Sequence, residues 1–90
     1  MDVTIHIHPI LYRYTDQQKV SVVSGNTVGQ CLLQLAEKFP GLEEGLFDKD
    51  GKLKPYLDIF VNLESLPPDR LDSSVSDGDE IYILAIVSGG

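Results

Sequence analysis

The sequence has little cysteine and little positive charge. Its single cysteine, Cys31, permits no internal disulfide, which agrees with a reducing compartment. Only 7 of the 90 residues are Lys or Arg, against 14 Asp or Glu, and no basic cluster could neutralise consecutive phosphates. We therefore expect neither nucleic acid nor an anionic membrane as a partner. A basic surface on a partner protein would complement the net charge of -7, although solubility alone also explains an acidic surface.

Long apolar runs and targeting signals are also missing. The N-terminus has no cationic segment followed by an apolar stretch, and no run approaches the roughly 20 apolar residues of a membrane span. We expect a cytoplasmic protein without a membrane segment. A chain of 90 residues suffices for one domain but hardly for a deep catalytic cavity, so a binding module or carrier is favoured over an enzyme.

Periodicity predicts four strands and one main helix. Alternation with period two predicts strands at residues 3–7, 19–23, 57–62 and 81–87, the first two forming a hairpin. Thr27 stands three residues before Gln30, the spacing of a capping box. Apolar residues then follow at helical spacing for about three turns until Pro40-Gly41, and a short helical turn is possible at 42–47.

The last three residues, Ser88-Gly89-Gly90, directly follow the predicted final strand. Because glycine has no Cβ, a terminal Gly-Gly can pass through a narrow channel and present its α-carboxylate to another protein's active site. Small residues at a chain end are also common in disordered termini. The Gly-Gly alone does not decide between these two readings.

Several short motifs together resemble a known family. These are the ββαββ order, Phe60-Val61-Asn62, Asp77-Gly78-Asp79-Glu80 and the terminal Gly-Gly. The chain is similar to the ubiquitin-like β-grasp sulfur carriers, which include the thiamine-pathway carrier, the small subunit of molybdopterin synthase and the carriers of protein-bound cysteine synthesis. Gly51-Lys52-Leu53 resembles the longer carriers of cysteine synthesis. Leu63 and Ala85 depart from the family pattern, which often has Gly and Pro there.

The resemblance implies an α+β fold. Its sheet is mixed and four- to five-stranded, with the first and last strands parallel at the centre and one main helix across one face. Residues 1–90 would form a single β-grasp domain with a flexible C-terminal tail at 88–90.

The resemblance also implies a chemical role for Gly90. A separate, ATP-dependent E1-like adenylating enzyme would activate the Gly90 carboxylate, which would then become a thiocarboxylate and donate sulfur to an acceptor enzyme. That acceptor would be a cysteine synthase or the large subunit of molybdopterin synthase. The sequence contains no phosphate-binding loop, so we expect no bound cofactor and a protein cosubstrate or small synthase subunit rather than an enzyme. Two alternatives are a ubiquitin-like modifier conjugated through Gly90 to lysines, and an interaction domain with an inert tail.

A docking surface is expected near the tail. Strand alternation places Tyr82, Leu84 and Ile86 on the helix-free face of the sheet, and Phe60 joins them if the third and last strands are neighbours as in the family. We expect these four residues to bind the partner.

Other candidate sites are weaker. His6 and His8 would point to the same side of the first strand but have no third ligand, so no metal site is expected. Cys31 falls in the apolar stripe of the helix and is interpreted as a structural residue. The acidic residues of the loops are interpreted as solvated turns; they are Glu43, Glu44, Asp48, Asp50, Asp77, Asp79 and Glu80.

Overall fold

A mixed sheet forms the framework of the computed structural model, which describes residues 2–67 and 69–86. Its strands are β1 (Asp2–His6), β2 (Val20–Ser24), β3 (Leu57–Val61), β4 (Glu64–Leu66) and β5 (Glu80–Ala85). They lie in the order β2-β1-β5-β3-β4. β1 and β5 are parallel at the centre, and the β1–β2, β3–β5 and β3–β4 pairs are antiparallel. The predicted mixed sheet with parallel central strands is confirmed.

Within the described part of the chain, three helical segments accompany the sheet: a 3₁₀ helix (Pro9–Tyr14), α1 (Val28–Lys38) and α2 (Leu42–Leu46). α1 begins as predicted, because the Thr27 side chain accepts a hydrogen bond from the Gln30 amide at 3.1 Å. The Gln30 side chain accepts in return from the amide of Asn26, at 2.8 Å, rather than from that of Thr27. Among the described residues, no helix is long and apolar enough to cross a membrane.

One apolar core lies between the helices and one face of the sheet. The inward residues of β1 and β5 are 1% exposed or less, as are the inward residues of α1. The fully buried side chains of these three elements are Val3, Ile5, Ile81, Ile83, Val28, Cys31, Leu32 and Leu35. The helices of the described residues leave the opposite face of the sheet uncovered, and that face is called here the open face.

Three details differ from the sequence prediction. The connection between β1 and β2, expected to be a plain loop, contains the 3₁₀ helix. β3 ends at Val61, one residue earlier than predicted, because Asn62 has a positive φ of 57°. β4 was not predicted as a strand. β5 begins at Glu80, and the predicted last strand residue, Val87, lies outside the described residues together with the tail at 88–90.

Candidate functional site

The segment that leads to the tail is held at the middle of the sheet. β5 has β1 on one side and β3 on the other. The last described residue, Ile86, donates its amide hydrogen to the Tyr56 carbonyl at 2.7 Å, just before β3 begins. The described chain is therefore anchored up to Ile86. The predicted reactive residues Ser88, Gly89 and Gly90 lie outside the described residues, so their roles stay predictions.

The predicted docking residues share the open face. In the antiparallel β3–β5 pair, Phe60 lies opposite Tyr82, and Asp58 lies opposite Leu84. Alternation along β5 places Ile86 on the same side of the chain as Leu84. Leu84 and Ile86 are 40% and 58% exposed, whereas Phe60 and Tyr82 are partly buried. The structure thus brings the four side chains to one face, and binding of a partner there stays a prediction.

His6 is part of the same face. Because His6 is the register partner of Tyr82 in the parallel β1–β5 pair, the two rings stack with centroids 4.2 Å apart and planes 6° from parallel. His6 Nε2 also lies 2.7 Å from Oε1 of Glu80, which is two positions before Tyr82 and on the same face of β5. These contacts hold the Tyr82 ring in one orientation. The sequence analysis did not predict this stack, since no sequence signal gives the β1–β5 register.

Exposed apolar side chains also lie on the open face at β2, separated from β5 by the polar outward residues of β1. Val20 lies opposite His6 and Val22 opposite Thr4, and the two valines are 46% and 55% exposed. Tyr56, beside Ile86, is 41% exposed. These three residues were not predicted as surface candidates. The exposure of Val20 and Val22 depends on β2 being an edge strand. The exposure of Tyr56 depends on the path of the chain into β3.

The two histidines have different environments, contrary to the expectation that they share one side of the first strand. β1 ends at His6, and the His8 Nδ1 atom instead accepts a hydrogen bond from the Ile10 amide at 3.1 Å, which caps the 3₁₀ helix. Within residues 2–67 and 69–86, no group of three potential ligands could hold a metal ion.

Cys31 is buried among the core residues of α1, with 0% of its surface exposed. Burial raises the pKa of its thiol, because the thiolate would lose its hydration. A buried thiol with a raised pKa is a poor nucleophile. Its interpretation as a structural residue is confirmed.

Acidic side chains in two loops accept hydrogen bonds from backbone amides. Asp48 Oδ1 accepts the amides of Asp50 and Lys52 at 2.8 and 3.0 Å. Asp77 Oδ1 accepts the Asp2 amide at 2.8 Å, and Asp79 Oδ2 accepts the Ser76 amide at 2.8 Å. Asp48 and Asp79 thus complete hydrogen bonds of their own turns, which agrees with the predicted solvated turns, whereas Asp77 joins its turn to the start of β1.

Two of the motifs behind the family resemblance contact each other. Asn62 Oδ1 accepts the Glu80 amide at 3.1 Å, Asn62 Nδ2 donates to Asp79 Oδ1 at 3.3 Å, and the Asn62 amide donates to the Glu80 carbonyl at 2.6 Å. This group of contacts, called here the Asn62 latch, joins the end of β3 to the start of β5. It lies at the end of β5 opposite the tail, so it supports the sheet and does not touch the expected reaction site.

Comparisons with known proteins agree with this geometry. Residues 9–90 match the model of the ThiS family. The chain is 37% identical to the "Sulfur carrier protein CysO" of Mycobacterium tuberculosis, and the match covers all of both proteins. It is 32% identical to the "Small archaeal modifier protein 3" of Haloferax volcanii, and this match covers 71% of this chain and 70% of the other. A chain of the Amycolatopsis orientalis BexX/CysO complex superposes with a TM-score of 0.86 at 30% identity, covering 98% of this chain and 99% of the other. The α+β ubiquitin-like β-grasp fold is confirmed, and the chain belongs to the ThiS family.

Proposed function

We propose that the chain is a sulfur carrier whose Gly90 carboxylate is activated as an acyl-adenylate and converted to a thiocarboxylate. The observation that carries this proposal is the match to the ThiS family over residues 9–90, which includes the Gly-Gly end. The relatives named sulfur carrier protein, 37% identical over all of both chains, support the same role. In this role the chain is a cosubstrate, and a partner supplies the catalytic groups.

The activation step follows from the stability of a carboxylate. A carboxylate is a resonance-stabilised anion, and a sulfur nucleophile does not displace its oxygen directly. An E1-like adenylating enzyme transfers AMP from ATP to a Gly90 oxygen and releases pyrophosphate. A hydrosulfide ion then attacks the carbonyl carbon, the carbon–oxygen bond to AMP breaks, and the resulting thio acid loses its proton to give the thiocarboxylate.

The reach of the tail requires that the partner bind the folded domain. The four residues after Ile86 span at most about 14 Å even when fully extended. Gly90 therefore enters a buried active site only if the domain itself lies against the mouth of that site. The open face is suited to this contact because Leu84 and Ile86 are exposed apolar residues at the end of β5 that leads to the tail.

Intact-mass spectrometry tests the carrier function. Protein isolated from its own host, or incubated with the adenylating enzyme, ATP and sulfide, is expected to show the mass increase for replacement of one oxygen by sulfur. A reaction without ATP is the control. If only the carboxylate is found while the same enzyme sample sulfurates another carrier, the proposal is wrong.

Deletion of Gly90 separates chemistry from folding. The described core ends before the tail, so the variant is expected to unfold at nearly the same temperature as the full chain while accepting no sulfur. Glu43→Ala, in α2 on the helix side of the sheet, is a matched control that should keep full sulfur acceptance. A large loss of thermal stability without Gly90 would instead indicate a structural tail.

The 32% identity to a Haloferax volcanii protein named as a modifier favours a second candidate function. In that function, a lysine amine of another protein attacks the same acyl group and an isopeptide bond replaces the thiocarboxylate. Conjugates of higher mass that survive reducing agent, and that are absent for the Gly90 deletion, would support the modifier. Sulfur transfer to a cysteine synthase or to a molybdopterin synthase large subunit, without conjugates, would support the carrier and identify its acceptor.

A further inference from the structure

The edge of the sheet formed by β2 has backbone groups that point away from the sheet. β2 is the first strand in the sheet order, so among the described residues its only neighbouring strand is β1. The Ile7 amide donates to the Lys19 carbonyl at 2.8 Å, which fixes the hydrogen-bonded pairs of this antiparallel ladder. Because bonded and non-bonded pairs alternate, the backbone groups of Val20, Val22 and Ser24 point away from β1. These three residues present N–H and C=O groups along the outer edge.

The side chains of this edge favour strand addition. β2 has the sequence Val-Ser-Val-Val-Ser, with no charged residue and no proline. Val20 and Val22 are 46% and 55% exposed on the open face. Natural edge strands usually carry charges, prolines or bulges that prevent pairing with another chain. β2 has none of these, and an apolar β-branched edge of this kind can accept an extended peptide.

Two lysines flank the edge on the helix side. Lys38, the last residue of α1, donates to Ser21 Oγ at 2.8 Å and to the outward Val22 carbonyl at 3.1 Å. Lys19 is exposed, and alternation places it on the same side as Ser21. The ion pairs within residues 2–67 and 69–86 are His6–Glu80 and Arg70–Asp72, so neither lysine has a carboxylate partner there. A positive site therefore lies beside β2 in a chain of net charge -7.

The charges distinguish between two occupants of the edge. In a pair of identical chains related by a two-fold axis, β2 would meet β2 and the two Lys38 ammonium groups would come together near Val22. Each chain would also bring its net charge of -7. An acidic extended segment of another protein avoids both repulsions. Its carboxylate can form an ion pair with Lys38. One of its backbone N–H groups can then donate to the Val22 carbonyl in place of Lys38.

We propose that the β2 edge, with Lys19 and Lys38, binds an extended partner segment that has alternating apolar residues and an acidic residue. The segment adds as a strand beyond β2, with its backbone bonded to Val20, Val22 and Ser24. β1 separates this site from β5, so the proposal does not depend on the chemistry of Gly90.

The test is an NMR titration of the isotope-labelled full chain with synthetic peptides. One peptide has alternating valine and threonine with an aspartate at each end, and the control peptide has lysines in place of the aspartates. The aspartate peptide is expected to shift the amide resonances of Val20, Val22 and Ser24 and to bind more tightly than the lysine peptide. Absence of shifts at millimolar peptide, equal binding of both peptides, or shifts centred on Leu84 would overturn the proposal.

Variants of Lys38 test the charge. An exposed ion pair changes affinity by up to about fivefold, so Lys38→Gln should lower the affinity for the aspartate peptide by up to that factor. Lys38→Glu should reverse the preference and bind the lysine peptide better. Lys52→Glu, at the exposed turn after Asp48, is the matched control and should keep the preference of the unmodified chain. The same preference in all three variants would contradict the role of Lys38.

A backbone variant tests strand addition itself. Val22→Pro removes an outward N–H that β1 does not use, so the domain should fold, whereas peptide binding should be lost. Val22→Thr keeps this N–H and should still bind. If the β2 amides become protected in concentrated protein without peptide, the occupant is a second copy and the assigned partner is wrong.

Discussion

Replacing Asn62 tests whether the Asn62 latch stabilises the sheet. Asn62→Ala removes two side-chain hydrogen bonds, to the Glu80 amide and to Asp79. At exposed positions each bond contributes about 0.5–1 kcal/mol. Alanine must also adopt the positive φ of 57°, which costs about 1 kcal/mol more than for asparagine. The expected loss in the free energy of unfolding is about 2–3 kcal/mol.

Asn62→Gly separates the two contributions. Glycine loses the same hydrogen bonds and has a more flexible unfolded chain, but it adopts the positive φ without strain. The expected loss is about 1.5–2.5 kcal/mol, smaller than that of alanine by about 0.5 kcal/mol, because the added flexibility offsets about half of the relieved strain. Urea unfolding at equilibrium measures both values, and an unchanged m value would show that the unfolded state is the same.

Two results would refute this reasoning. If alanine destabilises no more than glycine, the positive φ carries no strain. If both losses fall below about 0.5 kcal/mol, the side-chain bonds contribute no net stability. The glycine variant should also accept sulfur as well as the unmodified chain under conditions where it is folded, because the latch lies about 17 Å from the far end of β5.

Three further predictions concern the docking surface, α2 and the core. Leu84→Ala should weaken binding of the adenylating enzyme by about 2 kcal/mol or more, roughly thirtyfold, whereas Glu43→Ala should change the affinity little. Circular dichroism checks that both variants are folded. Equal affinities of the two folded variants would exclude the open face as the docking surface. Gly45→Ala should lower the free energy of unfolding by about 1 kcal/mol, because overpacking exceeds the gain in helix propensity. Its Cβ would lie 2.8 Å from Tyr14 Cε2, so Tyr14→Ala should relieve the loss, and additive losses would contradict this contact. Burial raises the Cys31 pKa, so the folded chain keeps the thiol proton that the unfolded chain loses. The free energy of unfolding should then fall as pH rises from the ordinary thiol pKa to the raised pKa of the folded chain. This fall should be steeper than in Cys31→Ala, and equal pH dependence in the two proteins would contradict the prediction.

The sequence was sufficient for the elements with regular patterns. α1 was predictable because Thr27 caps it and its apolar residues repeat at helical spacing. The long strands were predictable from alternation, which also placed Leu84 on the open face. β4 has only three residues, Glu64–Leu66, and such a short segment carries no usable period.

Contacts between distant strands were harder to predict. The His6–Tyr82 stack depends on the register of β1 against β5, and local propensity does not contain that register. The free edge of β2 likewise depends on the strand order. The family motifs were useful for recognition, but Asn62 and Glu80 act in the fold, whereas the role of Gly90 rests on family membership.

The central position of β5 has a consequence for synthesis of the protein. β1 pairs with β5, whose first residue, Glu80, is synthesised about 75 residues after β1. During synthesis β1 therefore cannot form this pair until β5 has been made. β3 also lacks its central neighbour until then, although β4 is already made. A nascent chain interrupted before this point would have an incomplete sheet with unpaired central edges, and proteases or chaperones would recognise it. Only chains whose translation has passed β5 can therefore complete the sheet, and interrupted chains would not accumulate as folded competitors for the proposed activating partner.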